Sequence, residues 1–294
     1  MKTTPWILPA ILLAFTACAE KPTTNSASAT ETPAKPAFFM TRPTATSPAE
    51  LVFGQKYGGA KPLNYRKNNE LRISGSATFG PKGLKEIAKP VKKTKNALYI
   101  FDLRQESHGL INDIPVSWVA DRDWANADLN HDEAIRRERR QLGDLRVGEK
   151  VNGVEIKSIE TEESMVRSAG YQYVRLTVTD HVRPTDSEVD RFIEAVRNLP
   201  DQAWIHFHCH AGKGRTTTFM VLYDMLVNAK YTSFDDIVKR NTELSNDYDV
   251  LAVGDEKDWK HPYQVERAQF VRAFYEYAKE HPRGENKLWS EWVR

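Results

Sequence analysis

Cysteine is scarce in this chain, with two in 294 residues, Cys18 and Cys209. Cys18 closes a short apolar run, so processing there leaves Cys209 as the one reactive thiol. That excludes an intrachain disulfide framework and points to chemistry at Cys209. Charge of one sign is lacking too: 42 Lys and Arg against 40 Asp and Glu leave a net +2. A strongly basic nucleic-acid binder is thereby excluded, and any attraction for polyanions must be local. Long apolar runs are missing, since the stretch 6–15 is too short to span a bilayer comfortably. No internal repeat is evident. Histidines do not gather with carboxylates at metal-ligand spacing, His131-Asp132 reading as a helix start, so neither a metal nor another cofactor is expected.

What the N-terminus does carry is a targeting pattern. Lys2, the apolar run and the small residues of Thr16-Ala17-Cys18-Ala19 read as a signal peptide over 1–18, so the chain is expected to be exported to the periplasm, the outer membrane or the medium. Cys18 after a small residue resembles a bacterial lipoprotein acceptor, which would tether the chain to a membrane. Ala17-x-Ala19 would equally serve an ordinary signal peptidase. Residues 19–48, mostly Ala, Thr, Ser and Pro, cannot bury enough surface to offset ordering and read as a flexible linker, either a spacer or a processing remnant. The rest, 49–294, suffices for one large domain, or one large and one small, in a chain 40% hydrophobic and 28% charged.

The densest chemical signal is His208-Cys209-His210-Ala211-Gly212-Lys213-Gly214-Arg215-Thr216. Five residues between a cysteine and an arginine can curl so that successive backbone N–H groups point at one anion. Positions needing unusual dihedrals must then be glycine, as Gly212 and Gly214 allow. The preceding 204–208 alternates apolar and polar like a strand end. The following 216–229 carries Phe219, Leu222, Met225 and Leu226 at helical spacing, aiming a helix N-terminus at the same point. A thiol attacks as its thiolate, a form that a helix N-terminus and cationic neighbours favour. Arg215 offers a planar fork for two phosphate oxygens at once, and Thr216 can hydrogen-bond the sulfur. The stretch describes a phosphate trap with a nucleophile at its base.

His-Cys followed five residues later by Arg and Thr resembles the signature of the cysteine-dependent phosphatases of the protein tyrosine phosphatase superfamily. Four further segments narrow the likeness: Leu71-Arg72-Ile73-Ser74-Gly75-Ser76, Asp102-Leu103-Arg104-Gln105-Glu106-Ser107-His108-Gly109, Ser117-Trp118 with Asp121-Arg122-Asp123-Trp124, and Thr179-Asp180-His181-Val182-Arg183-Pro184-Thr185. Together these resemble the bacterial tyrosine-phosphatase-like inositol phosphatases, the cysteine phytases, from about Asn64 to the C-terminus. The resemblance implies a catalytic domain over 49–294 with the layered tyrosine-phosphatase-like fold. It also implies a phosphocysteine intermediate and myo-inositol polyphosphates as substrates. Family members that hydrolyse inositol hexakisphosphate carry a second, partial β-barrel domain, and here the room for it is limited.

Local patterns agree with a layered α/β fold, a central sheet flanked by helices. Strands are expected near 97–101, 171–178 and 203–207, and helices near 83–88, 132–142, 186–199 and 216–229. Thr185 and Glu188 are expected to form a capping box. Residues 146–160, with Asn152-Gly153 as a hairpin turn, read as a small β element, a reduced form of the partial barrel. The run 136–140 reads as a solvated helix face.

Departure of an alkoxide needs a proton, and Asp180, in a loop after a strand, is the candidate acid, resembling the superfamily's general-acid loop. Asp186 and Asp190 compete for that role. Substrate contacts are expected from the loop residues His210, Ala211, Gly212, Lys213 and Gly214. A largely cationic rim completes the set: Arg66, which looks like the family's N-terminal phosphate contact, His181 and Arg183 beside the acid, and Lys257, Lys260 and Tyr263, in a stretch that resembles a substrate-contacting segment of the family near the C-terminus. Asp102 either orients the substrate or pairs with Arg104 or another core-edge arginine. His108, Trp118 and Trp124 are expected to pack, and His208 to steady the loop by hydrogen bonds. The alternatives to an inositol phosphatase are a protein tyrosine phosphatase and a noncatalytic polyanion-binding module.

Overall fold

The strand that ends in Cys209 has both faces covered, and the rest of the fold is arranged around it. The computed structural model describes residues 43–44, 47–92 and 96–294. The expected signal peptide, Cys18 and most of the expected linker lie outside the described residues. In chain order the elements begin with β1 (Glu50–Phe53), β2 (Arg66–Asn68), β3 (Ile73–Ala77), α1 (Pro81–Ile87), α2 (Lys89–Lys92), β4 (Leu98–Arg104), β5 (His108–Ile111) and β6 (Ile114–Val119). They continue with α3 (His131–Asp144), β7 (Lys150–Val151), β8 (Val154–Glu155), β9 (Ile159–Glu160), α4 (Glu162–Ser168) and β10 (Gln172–Val178). The C-terminal part adds α5 (Asp186–Arg197), β11 (Trp204–Cys209), α6 (Gly214–Asn228), α7 (Phe234–Leu244), α8 (His261–Glu280) and α9 (Trp289–Trp292).

The central sheet runs β10-β4-β11-β3-β2, parallel except for the antiparallel edge strand β2. Parallel strands covered on both faces read as nearly continuous buried runs, and Trp204–Cys209 is buried throughout. Its register sets His208 opposite Asp102 on one side and Cys209 opposite Ala77 on the other. The C-terminal ends of β3, β4, β10 and β11 therefore converge, the place where a parallel sheet presents its loops. Helix α6 packs on β11, β3, α7 and α8, so it is apolar nearly all round, with Phe219, Met220, Leu222 and Met225 fully buried.

A second, antiparallel sheet has the order β1-β6-β5-β9, with β7-β8 as a separate hairpin. Among the described residues these strands form no closed barrel. Asn152 (φ 50°) and Gly153 (φ 79°) make the left-handed pair expected of that hairpin. The β element expected at 146–160 is thus divided: β7 and β8 form the separate hairpin, and β9 is one edge of a larger sheet whose other strands come from residues before 120. No helix among the described residues is long and apolar enough to cross a membrane.

Three local expectations change. The capping box at Thr185 is half made: Thr185 Oγ1 accepts from the Glu188 N–H, but the Glu188 carboxylate turns inward to the Thr177 N–H and His131. Glu138, in the run read as a solvated helix face, is buried and accepts from Arg175 at 3.0 Å. Helices α2, α4, α7, α8 and α9 and strands β1, β2, β3, β5 and β6 were not expected.

Candidate active site

Strand β11 delivers Cys209 to the base of a cleft of about 270 Å³ with its side chain 2% exposed. Thr216 Oγ1 donates to Sγ at 3.3 Å. Of the two loop glycines only Gly212 has positive φ, at 73°. A Cβ there would meet the Ala77 nitrogen at 2.2 Å, so the loop lies directly on the end of β3. Gly214, where unusual dihedrals were also expected, is simply the first residue of α6, and a Cβ there would stand 3.0 Å from the Tyr248 hydroxyl. No side chain caps the N-terminus of α6, so its first N–H groups are left for an anion in the loop.

Arg66 is not on the rim. It is 7% exposed and braces the loop from beneath, donating to the carbonyls of Gly212 (2.5 Å) and Asn64 (2.9 Å) and to the hydroxyls of Thr217 (2.9 Å) and Ser245 (3.1 Å). Burial pushes its guanidinium down to about 10 against the opposing effect of Cys209.

Arg215 is held bidentately by Glu106, Nη1 to Oε2 at 2.6 Å and Nη2 to Oε1 at 3.0 Å, with a further bond from Nη1 to the Val178 carbonyl. Arg104 Nε holds the same Glu106 at 2.9 Å. Burial alone would raise the Glu106 carboxyl, but Arg215 and Arg104 outweigh it and hold the group well below the usual carboxylate range. Arg215 Nε lies 3.2 Å from Asp180 Oδ1 but off the hydrogen-bonding direction, which leaves that N–H without a partner in the protein.

Asp180 follows β10, lines the cleft and is 23% exposed. Its two competitors are elsewhere. Asp186 accepts from Arg183 and Trp289, and Asp190 from the Ser290 N–H. His181 lines the cleft beside Asp180 in a left-handed conformation (φ 64°). Burial lowers its imidazole, an effect opposed by Asp180 and reinforced by Lys260 and Arg215.

The expected rim thins out. Lys213, Lys260, His181, Ala211 and Gly214 line the cleft, whereas Lys257, Tyr263 and Arg183 do not. Lys257 is exposed, Tyr263 packs edge-on against Trp124, and Arg183 is buried between Glu266 and Asp186. The His210 ring turns away to Asp123, Nδ1 to Oδ2 at 2.8 Å. Asp102 is fully buried beneath the loop and pairs with a core arginine. That arginine is Arg175, at 2.8 Å, since Arg104 gives it only a backbone N–H; His108 (2.9 Å) and the Tyr173 hydroxyl (2.6 Å) complete its shell. His208 pairs with Glu162 at 2.7 Å and not with the loop.

Histidines do gather with carboxylates in space, although not along the chain: Asp102–His108–Glu162 and Glu106–Asp123–His210 each have ligand atoms close enough for one cation. Arginine already supplies positive charge to both, Arg175 at Asp102 and Arg215 at Glu106. Sequence reasoning gave no role to Glu106, Tyr248, Gln264 or Arg267. The last three line the cleft, and Arg267 donates to the Tyr248 hydroxyl at 3.2 Å. Glu106 was legible in principle as an acid four residues past Asp102 at a strand end. The other three leave no local signal.

The tyrosine-phosphatase-like phytase family, described as "Inositol hexakisphosphate", matches residues 130–227. A tyrosine-phosphatase-like phytase from Bdellovibrio bacteriovorus is 74% identical in sequence, with a TM-score of 0.85 over 87% of this chain and 98% of that one. The chain belongs to the tyrosine-phosphatase-like phytase family. The likeness read from its scattered segments is borne out. Among other relatives of this phytase-family chain is the myo-inositol phosphatase of Mitsuokella multacida, solved with myo-inositol-(1,3,4,5)-tetrakisphosphate. It is 34% identical with a TM-score of 0.76, over 85% of this chain and 49% of that one. The effector protein hopD2 of Pseudomonas syringae pv. tomato is 33% identical over 213 residues, 66% of this chain and 46% of its own length. The chain thus spans just under half the length of both.

Proposed function

We propose that the chain is a cysteine-dependent phosphomonoesterase that hydrolyses myo-inositol polyphosphates through a phosphocysteine. The observation that carries this is the meeting of Cys209 Sγ, the Glu106-held Arg215 and Asp180 in one cleft at the N-terminus of α6. The sulfur attacks phosphorus in line while the loop amides and Arg215 hold the equatorial oxygens. As the P–O bond breaks, Asp180 gives its proton to the departing alkoxide. Asp180, now ionised, takes a proton from water, which attacks phosphorus and releases phosphate and the thiolate. Lys213 and Lys260 at the mouth suit phosphates that are not being cleaved, and the Mitsuokella relative's bound tetrakisphosphate supports the same substrate class.

Tyr248, an aromatic wall in the cleft, favours the second reading, a protein tyrosine phosphatase. Phosphate release from a panel of inositol phosphates against a phosphotyrosine peptide decides between them. Higher kcat/KM on an inositol polyphosphate is expected, and a peptide turned over better than every inositol phosphate overturns the substrate class. We also propose export, with Cys18 as the lipid-bearing residue of a membrane tether. Incorporation of a labelled fatty acid that is lost in Cys18→Ser tests it.

A further inference from the structure

The stretch 120–124 joins the two loops that the proposed reaction must keep in register. Arg122 (φ 61°) and Asp123 (φ 65°) are consecutive non-glycine residues in the left-handed region, a costly conformation that points their neighbours in two directions. Asp123 Oδ2 accepts from His210 Nδ1 at 2.8 Å, gripping the residue directly after Cys209. Trp124 Nε1–H donates to the Asp180 carbonyl at 2.9 Å, gripping the backbone of the proposed acid. The turn is itself held: Arg122 lies over the rings of Trp259 (4.4 Å) and Trp124 (5.2 Å), and Trp124 packs edge-on against Trp259 and Tyr263. His181 stacks edge-on against the same Trp259.

We propose that Asp123 and Trp124 are positioning residues, and that this strained turn is a brace fixing the distance between the phosphate loop and the acid loop. The inference rests on the proposed reaction, in which Asp180 must stand across the phosphate from the sulfur. Neither residue lines the cleft. Both act through the group they hold.

Losing the Trp124 bond frees the acid loop, so it weakens protonation of the leaving group and leaves attack by sulfur intact. A poor leaving group such as an inositol alkoxide feels this, and an activated aryl phosphate does not. The readout is kcat/KM, which covers steps up to phosphocysteine formation and is free of its later hydrolysis. Trp124→Phe removes the donor and keeps a ring in the cluster. It is expected to lower kcat/KM for inositol hexakisphosphate by about 10- to 100-fold, the scale of a misplacement near 1 Å, and for 2,4-dinitrophenyl phosphate by much less. Asp123→Asn acts on the phosphate loop and is expected to lower both by one factor. Asp180→Asn is the reference. If it shows no split between the substrates, the acid assignment falls and the brace with it. If it splits and Trp124→Phe lowers both equally, or neither, only the brace is overturned. Trp124→Tyr takes the place of Trp124→Phe if the latter does not fold, with the same split expected.

Discussion

Glu106→Gln tests the electrostatic floor of the cleft. The wild-type carboxylate is fully buried and accepts three charge-assisted bonds, two from Arg215 and one from Arg104. The amide keeps the shape, but one oxygen becomes an NH2 facing guanidinium N–H groups, and two buried arginines lose their shared counter-charge. Breaking a buried pair by removing one partner costs about 3–5 kcal/mol, and each kcal/mol moves Tm by about 2–4 °C at this size, so Tm should fall by about 6–20 °C. The pH dependence carries a second signature. The Glu106 carboxyl is held well below its usual range in the fold, against about 4.3 when unfolded. Its stabilisation is therefore present above about pH 4 and is lost as pH falls through the native value. The variant lacks that contribution, so the stability gap seen at pH 7 should narrow below about pH 4. Urea unfolding at a series of pH values measures both. Equal stability at pH 7, or a gap that does not change with pH, would refute the reasoning. Activity adds a third check, since in the proposed reaction Arg215 serves the transferring phosphate whatever the leaving group: kcat/KM should fall alike for inositol and aryl phosphates.

Cys209→Ser is expected to abolish turnover while an inositol phosphate still binds, seen by calorimetry, because the hydroxyl is a far weaker nucleophile in an intact cradle. Asp180→Asn should lower kcat/KM on inositol phosphates by about 10²- to 10⁴-fold and on an activated aryl phosphate far less; equal losses move the acid elsewhere. Lys260→Ala should raise KM for a polyphosphate roughly severalfold and flatten its salt dependence, with little change for an aryl monophosphate. Activity should survive excess chelator, and loss restored by added metal would show that a cation takes part.

What was legible in the sequence is what is contiguous. The phosphate loop needs its thiol, glycine, arginine and helix start in order along the chain, and Cys209, Gly212, Arg215 and Thr216 fall where that order puts them. The place of Asp180 in the cleft was legible because its loop follows a strand end. Depth was not legible. Arg66 and Lys260 are alike as surface cations in a sequence, yet Arg66 spends every bond beneath the loop while Lys260 lines its mouth. Nor was pairing across distance: Glu138 and Arg175, or Asp102 and Arg175, meet only once α3 and β4 pack against β10. Tyr248 and Arg267 reach the cleft from the segment after α7 and from α8, whose sequences show no chemical pattern of their own.

Strand β11 shows most sharply why pattern and burial part company. Its alternation of Trp204, Ile205, His206, Phe207, His208 and Cys209 reads as one apolar and one wet face. One face, Ile205, Phe207 and Cys209, does join the core with Phe192 and Phe219. The other is buried as well, because α1, α2 and α4 supply Ile87, Val91 and Val166, and the segment before α1 supplies Phe79, to a second core against Trp204. The histidines on that face are then obliged to find partners. His206 takes the hydroxyls of Ser74 (2.9 Å) and Ser76 (3.0 Å), and burial, reinforced by His208 and Arg66, pushes it well below its ordinary range, so it stays neutral. His208 is left with the 2.7 Å ion-pair contact to Glu162 and, among the described residues, no hydrogen bond at either ring nitrogen, while Asp102 takes His108 and Arg175. Burial would drive the Asp102 carboxyl up, but Arg175 and the two histidines hold it far down. A polar network thus lies behind the strand that carries the thiol, and an apolar core lies in front of it. Cys209 is fixed from both sides where β11 meets the cleft.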